Sequence, residues 1–383
     1  MPEKHAAITA SGSHRWIHCP PSARLEAQFP DNSSEAAAEG TKAHLLAERK
    51  LKAWMKSGRR QRFKEDDEVM QESVMQESTD NYCDYVIGLY NELKAAGADP
   101  DLNIEVRLDL SDWIPEGFGT SDACIPSTTA LHIVDLKYGK GVKVDAPKNS
   151  QMRLYALGAV ALFWPLYEFE KVVTHIYQPR LDNISVEEIS VEDLIKWGES
   201  IKPIARQAFD GKGEQHSGEW CRFCRCRNVC KVRATEMFEV LEDQPETMFM
   251  TLDEVAAYLP KLDEAIKWAK GLQDYALAKA RAGEKVPGYK LVEGRSVRKV
   301  KDQNAMALAL QKAGYEPDMI WKPLELQTLT NLEKLVGKKA FAKDYAALIE
   351  KPKGKPALVP ESDKRPEWQD ATPEEMFGKP EGE

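Results

Sequence analysis

Between Ser34 and Met55 the apolar positions recur at helical intervals. Leu45, Leu46, Leu51 and Trp54 punctuate an alanine-rich stretch, and a period near 3.6 predicts a helix. Ser33 or Ser34 offers a hydroxyl suited to its N-cap. A second helix is expected over 72–96, closed by the AGADP turn. The period then drops to two. NIEVRLDL, GFGTSDACI and ALHIVDLK read as three strands divided by turn residues. SQMRLYALGAVALFW returns to helical spacing with a strongly apolar face, and KVVTHIYQP reads as a fourth strand stopped by Pro179. A helix is expected over 191–208.

A meander of three strands, a crossover helix and a further strand imply an α/β fold, with a mixed sheet flanked by helices. From Thr251 the pattern becomes helical, beginning TLDEVAAYLPKLDEAIKWAKG. GYKLVEGRSVRKV suggests a hairpin, and helix is expected again to about 349. The last stretch is rich in Pro, Lys and Glu and too poor in apolar residues to hold a core. The expected organisation is a domain over 1–240, a mainly helical accessory region over 250–350 and a disordered tail over 351–383.

Charge changes this picture only locally. The chain of 383 residues has 42% hydrophobic content and a net charge of −9, which argues against a nucleic-acid packaging protein. Local basic groups still allow a grip on phosphates. Lys137, Lys140, Lys143, Lys148 and Arg153 form one such group, and Arg222, Arg225, Arg227, Lys231 and Arg233 another. No apolar run is long enough to span a bilayer, and MPEKHAAITASGSHRW lacks the pattern of a signal peptide. The expectation is an intracellular protein with no membrane partner.

The candidate chemistry centres on IVDLKYG. Asp135 and Lys137 are two apart in a strand, so they share a face. Asp122, in GTSD, lies on the preceding strand. If the strands pair, Asp122 and Asp135 converge on one cation, with the Leu136 carbonyl as a further oxygen ligand. That donor set suits Mg²⁺, and Lys137 would hold or deprotonate an attacking water. Gln151 and Tyr155, four apart on the next helix, also share a face. His44, in EGTKAH, and Glu105, in IEVRL, precede them. Each motif alone has an ordinary reading as a surface ion pair, a solvated amide or a core tyrosine.

Taken in order, G-T-x-x-H, Glu, G-T-x-D, D-x-K and Q-x-x-x-Y resemble the RecB-type branch of the PD-(D/E)-x-K nucleases. The resemblance covers roughly residues 1–235. It implies a restriction-endonuclease-like core of about four strands. It also implies metal binding by His44, Asp122, Asp135 and the Leu136 carbonyl, catalysis by Lys137, and positioning of DNA or water by Gln151 and Tyr155. Glu105 is the least fixed of the set. The implied activity is a metal-dependent DNA exonuclease acting on single strands or duplex ends, in phage recombination or DNA end processing. The implied setting is a bacterial host cytoplasm, with other recombination proteins as further partners. An imidazole ligand favours Mn²⁺ over Mg²⁺.

The cysteines extend the resemblance. Cys221, Cys224 and Cys230 follow C-x2-C-x5-C, with Cys226 as a surplus thiol. Far upstream, Ser11, Ser13, Cys19 and Pro20 form an S-x-S…C-P context. AddB-type and CRISPR-associated RecB-like nucleases share this split, and in them four cysteines hold a [4Fe–4S] cluster. The resemblance thus implies a structural cluster on Cys19, Cys221, Cys224 and Cys230. A local Zn²⁺ site on Cys221, Cys224, Cys226 and Cys230, or on three of them with His216, is an open alternative. Cys83 and Cys124 read as buried thiols. Two other functional classes remain open: a catalytically inactive DNA-binding or adaptor protein on a nuclease scaffold, and a zinc-dependent nucleic-acid-binding module.

Overall fold

The computed structural model describes residues 8–30, 35–60, 73–242, 250–292 and 303–313, with 337 and 343 as isolated positions. The chain divides into two compact units, 1–291 and 292–383. The first carries helices α1 (Ser13–His18), α2 (Ser22–Glu26), α3 (Glu35–Ser57) and α4 (Ser73–Ala95), and then strands β1 (Asn103–Asp109), β2 (Phe118–Pro126) and β3 (Leu131–Leu136). Helix α5 (Ser150–Tyr167), strands β4 (Lys171–Gln178) and β5 (Asn183–Ser190), and helices α6 (Val191–Asp210), α7 (Lys231–Glu242) and α8 (Leu252–Arg281) complete it. In the second unit, α9 (Gln303–Lys312) is described.

The five strands form one mixed sheet in chain order. The pairs β1–β2, β2–β3 and β4–β5 are antiparallel, while β3 and β4 run parallel. A parallel pair needs a crossover, and α5 supplies it. Asn149 caps this helix by accepting the N–H groups of Gln151 and Met152, which fixes where its first turn begins.

Strand alternation sends side chains to two cores. On one face Leu131, Ile133, Val172 and Ile176 pack with α5, α6 and the N-terminal Trp16. On the other, Ala123, Ile125, Val134 and Leu136 pack against Leu51 of α3 and Tyr82 and Val86 of α4. The mixed sheet flanked by helices is the expected architecture, with one strand more than expected, β5. Helices α1 and α2 are also additions. Among the described residues no helix is long and apolar enough to cross a membrane. The proposed N-cap at Ser33 or Ser34, most of the GYKLVEGRSVRKV hairpin, the helix expected beyond 313 and the tail over 351–383 lie outside the described residues.

Candidate functional site

The β2–β3 ladder ends at Ala123↔Val134. One step further Asp122 and Asp135 would face each other across the strands, and here side chains replace the backbone ladder. Asp122 Oδ2 accepts the Leu136 N–H at 2.7 Å. Its other oxygen meets His44 Nδ1, from α3, at 3.0 Å. Glu105 of β1 completes the group: one donor atom each from His44, Glu105 and Asp122 lies within 4.8 Å of the others. A small cavity is lined by these three, Glu48, Tyr82 and Leu136 among others.

Glu105 holds a φ of +54° inside a strand. Only glycine adopts this region freely, and such outliers cluster at functional sites. The twist sits between the Ile104↔Ala123 and Val106↔Ser121 pairs.

Beside this group runs a chain of polar contacts. Lys137 Nζ is 2.9 Å from Asp135 Oδ2 and donates to Gln151 Oε1 at 3.0 Å. Gln151 Nε2 in turn donates to the Tyr155 hydroxyl at 3.1 Å. The Tyr155 ring fits because position 119 is glycine: a Cβ there would lie 2.6 Å from Tyr155 Cε1. Asp135 is buried. Its Oδ2 has the lysine as ion-pair neighbour but accepts no hydrogen bond of good geometry.

The electrostatics describe a site short of positive charge. Burial pushes Glu105 up to about 7, with the Asp122 and Glu48 carboxylates adding to the shift. Burial also raises Asp135, outweighing the Lys137 ammonium beside it. On His44 burial acts against the charged ring, but the Asp122 carboxylate prevails and pushes it up to about 9. Lys137 is likewise held charged against burial by Asp135. Clustered carboxylates, an imidazole and an unsatisfied carboxylate oxygen form a donor set that fits a divalent cation. The residues of the nuclease-like motifs therefore fall in one neighbourhood, and the cysteines in another. Glu105 joins the tight donor group with His44 and Asp122, whereas Asp135 stands next to it, paired with Lys137.

The second centre joins the N-terminal segment to the loop that follows α6. Cys19 lies between α1 and α2, and Cys221, Cys224, Cys226 and Cys230 follow α6. All five, with Arg15 and His216, line one cavity. Glu26, buried at the end of α2, accepts the Arg225 N–H at 2.9 Å and the Arg15 Nε–H at 3.0 Å, which pins the cysteine loop to the N-terminal segment. Cys226, which the spacing leaves unplaced, is buried here with its sulfur 3.3 Å from that of Cys224. Their hydrogen bond raises the Cys224 thiol and lowers that of Cys226. Cys83 and Cys124 are buried thiols elsewhere, each pushed by burial up to about 12.

The basic groups divide. Arg153 is tied to Glu187 and Arg233 is buried between Glu236 and Glu264, so neither presents its charge outward. Lys140, Lys143 and Lys148 are exposed, as are Arg222, Arg225 and Arg227.

A family described as "Protein of unknown function (DUF2800)" matches residues 5–366. Among solved structures, one described as "Crystal structure of SSO0001" is similar at 14% sequence identity, over 60% of this chain and 89% of that one, with a TM-score of 0.29.

Proposed function

We propose that this chain, which belongs to the DUF2800 family of proteins of unknown function, is a metal-dependent deoxyribonuclease of the RecB-like PD-(D/E)-x-K type acting at DNA ends. The observation that carries the reading is the convergence of His44, Glu105 and Asp122 beside the Asp135–Lys137–Gln151–Tyr155 chain. His44, Asp122 and Glu105, with Asp135 adjoining, would hold a divalent cation. When bound, that cation supplies Lewis-acid polarisation of a phosphodiester and lowers the pKa of water.

The chain's own residues supply the rest. Lys137, held charged by Asp135, is set to stabilise negative charge on a phosphate oxygen or an attacking hydroxide rather than to remove a proton. Gln151 fixes the ammonium from its far side, and Tyr155 fixes Gln151. This linkage keeps Lys137 in one rotamer before substrate arrives, so little reorganisation is needed during reaction.

In the cysteine cavity we read a structural [4Fe–4S] cluster, held by Cys19 and three of the four later thiols. A tetrahedral zinc with Zn–S of about 2.3 Å draws its sulfurs to about 3.8 Å from one another. The Cys224 and Cys226 sulfurs lie 3.3 Å apart; what supports the cluster is Cys19 lining the same cavity as the later cysteines, as the split spacing implies. The presence of His216 in the same cavity keeps zinc as the competing occupant, and metal analysis separates the two.

One preparation tests the proposal. The protein is purified without oxygen, its iron, zinc and visible spectrum are recorded, and labelled single- and double-stranded DNA is offered with Mn²⁺ or Mg²⁺. The expected result is a brown protein that degrades DNA from ends, faster with Mn²⁺, and loses about 100-fold or more on Lys137→Ala. Equal Mn²⁺ and Mg²⁺ rates that are indifferent to His44→Ala would remove the imidazole ligand. Cleavage undiminished in Lys137→Ala overturns the mechanism, and absence of cleavage under all conditions favours the DNA-binding adaptor.

A further inference from the structure

Among the described residues, helix α8 leaves one face uncovered. Its packed side meets α7 through Ala265 and Trp268, which sit with Met237 in a small core. Flanking that side, Leu252, the half-buried Val255, Leu259, Leu262 and Ile266 follow one another at alternating steps of three and four residues. That is the spacing of a helix–helix seam. Leu252 is 87% exposed and Ile266 66%, a costly arrangement for a seam of this regularity. The same 3-4 register continues through Ala269, Gln273, Ala276 and Ala280. The seam is thus bulky in its first half and small in its second.

Charge is divided the same way. Residues 252–266 hold four acids and one base, a net −3, and residues 267–281 hold four bases and one acid, a net +3. The helix dipole accounts for charges in the first and last turns only. Asp263 and Lys270 lie mid-helix, beside the seam and on either side of Ile266.

We propose that α8 pairs with α8 of a second copy of this chain in an antiparallel, two-fold symmetric seam centred on Ile266. Only the antiparallel arrangement sets the bulky half of one helix against the small half of the other: Leu252 meets Ala280, and Leu259 meets Gln273. It also brings Asp263 within one residue of Lys270 of the second copy, twice by symmetry. A parallel pair would oppose like charges along both halves and crowd bulky residues together. The pairing does not depend on the chemistry of the other two centres.

Sedimentation velocity of the full chain at 1–50 µM (roughly the range for modest interfaces) tests this. The expected species is a dimer, and Ile266→Asp converts it to a monomer with unchanged circular dichroism, because that side chain is exposed. Asp263→Lys and Lys270→Asp each weaken association about tenfold or more, and the double exchange restores it. A monomer throughout this range overturns the proposal. So does a dimer indifferent to Ile266→Asp, or a double exchange that fails to recover. Capture of a different protein by this seam, with the chain itself monomeric, also counts against it.

Discussion

Glu105 combines two costs in one residue: a left-handed backbone, worth roughly 1–3 kcal/mol of strain, and a carboxylate pushed up to about 7 by burial. Glycine removes both. We expect Glu105→Gly to lose cleavage while its melting temperature stays level or rises, a trade of stability for function. A fall of several degrees would mean that the residue is structural. A second prediction concerns a pair away from the site. His132 Nδ1 and His175 Nε2 lie 3.0 Å apart, and the Tyr85 hydroxyl meets His175 Nδ1 at 2.8 Å. Burial lowers His132 to about 4. Burial, aided by the first ring, lowers His175 to about 3. Both rings are neutral in the folded chain, while unfolded imidazoles take protons near 6.5. Their contribution is therefore complete above pH 6.5 and is lost as pH falls towards 4, by about 1.4 kcal/mol per pH unit for each ring. Urea titrations from pH 7.5 to 5 should show this slope, and the His132→Gln, His175→Gln double variant should flatten it. An identical slope in the variant would dismiss the pair.

At the scale of elements, the site was legible wherever residue spacing encodes a shared face. D-x-K at the end of β3, with Lys137 one residue past it, and Q-x-x-x-Y on α5 are such cases. Glu105 was a candidate from the sequence, but nothing in its residue type announces its left-handed strand position. Strand β5 escaped for a different reason. Ile184 and Val186 are exposed on one face and Ile189 turns to the other, so NISVEEIS breaks its own apolar alternation. Helices α1 and α2 carry no side-chain cap and are too short for a periodic signal. Cys226 could not be placed by spacing, since a position two residues from Cys224 in sequence says nothing of a buried sulfur contact. The element-scale prediction concerns α1 and α2, which hold Cys19 between them. Closing a loop of about two hundred residues through Cys19 is worth roughly 5 kcal/mol on chain-entropy grounds. Cys19→Ser should lower the melting temperature of the metal-loaded protein by several degrees and leave the metal-free protein unchanged. Equal melting of the loaded forms would release Cys19 from the ligand set.

Over the molecule as a whole, the two centres share a mechanical link. The Ser13 hydroxyl, at the start of α1, lies 2.7 Å from that of Ser150, the first residue of α5 and the neighbour of Gln151. The segment that delivers Cys19 to its cavity is thereby docked on the helix that holds Lys137 in place. The cavity also joins sequence positions that a ribosome makes far apart in time. Cys19 emerges early, while Cys221 to Cys230 follow about two hundred residues later. At roughly 5–20 residues per second, the first thiol spends roughly 10–40 s in the cell before its partners exist. For that interval it is exposed to oxidants and stray metals, and assembly of the centre is necessarily a late event in the birth of the chain.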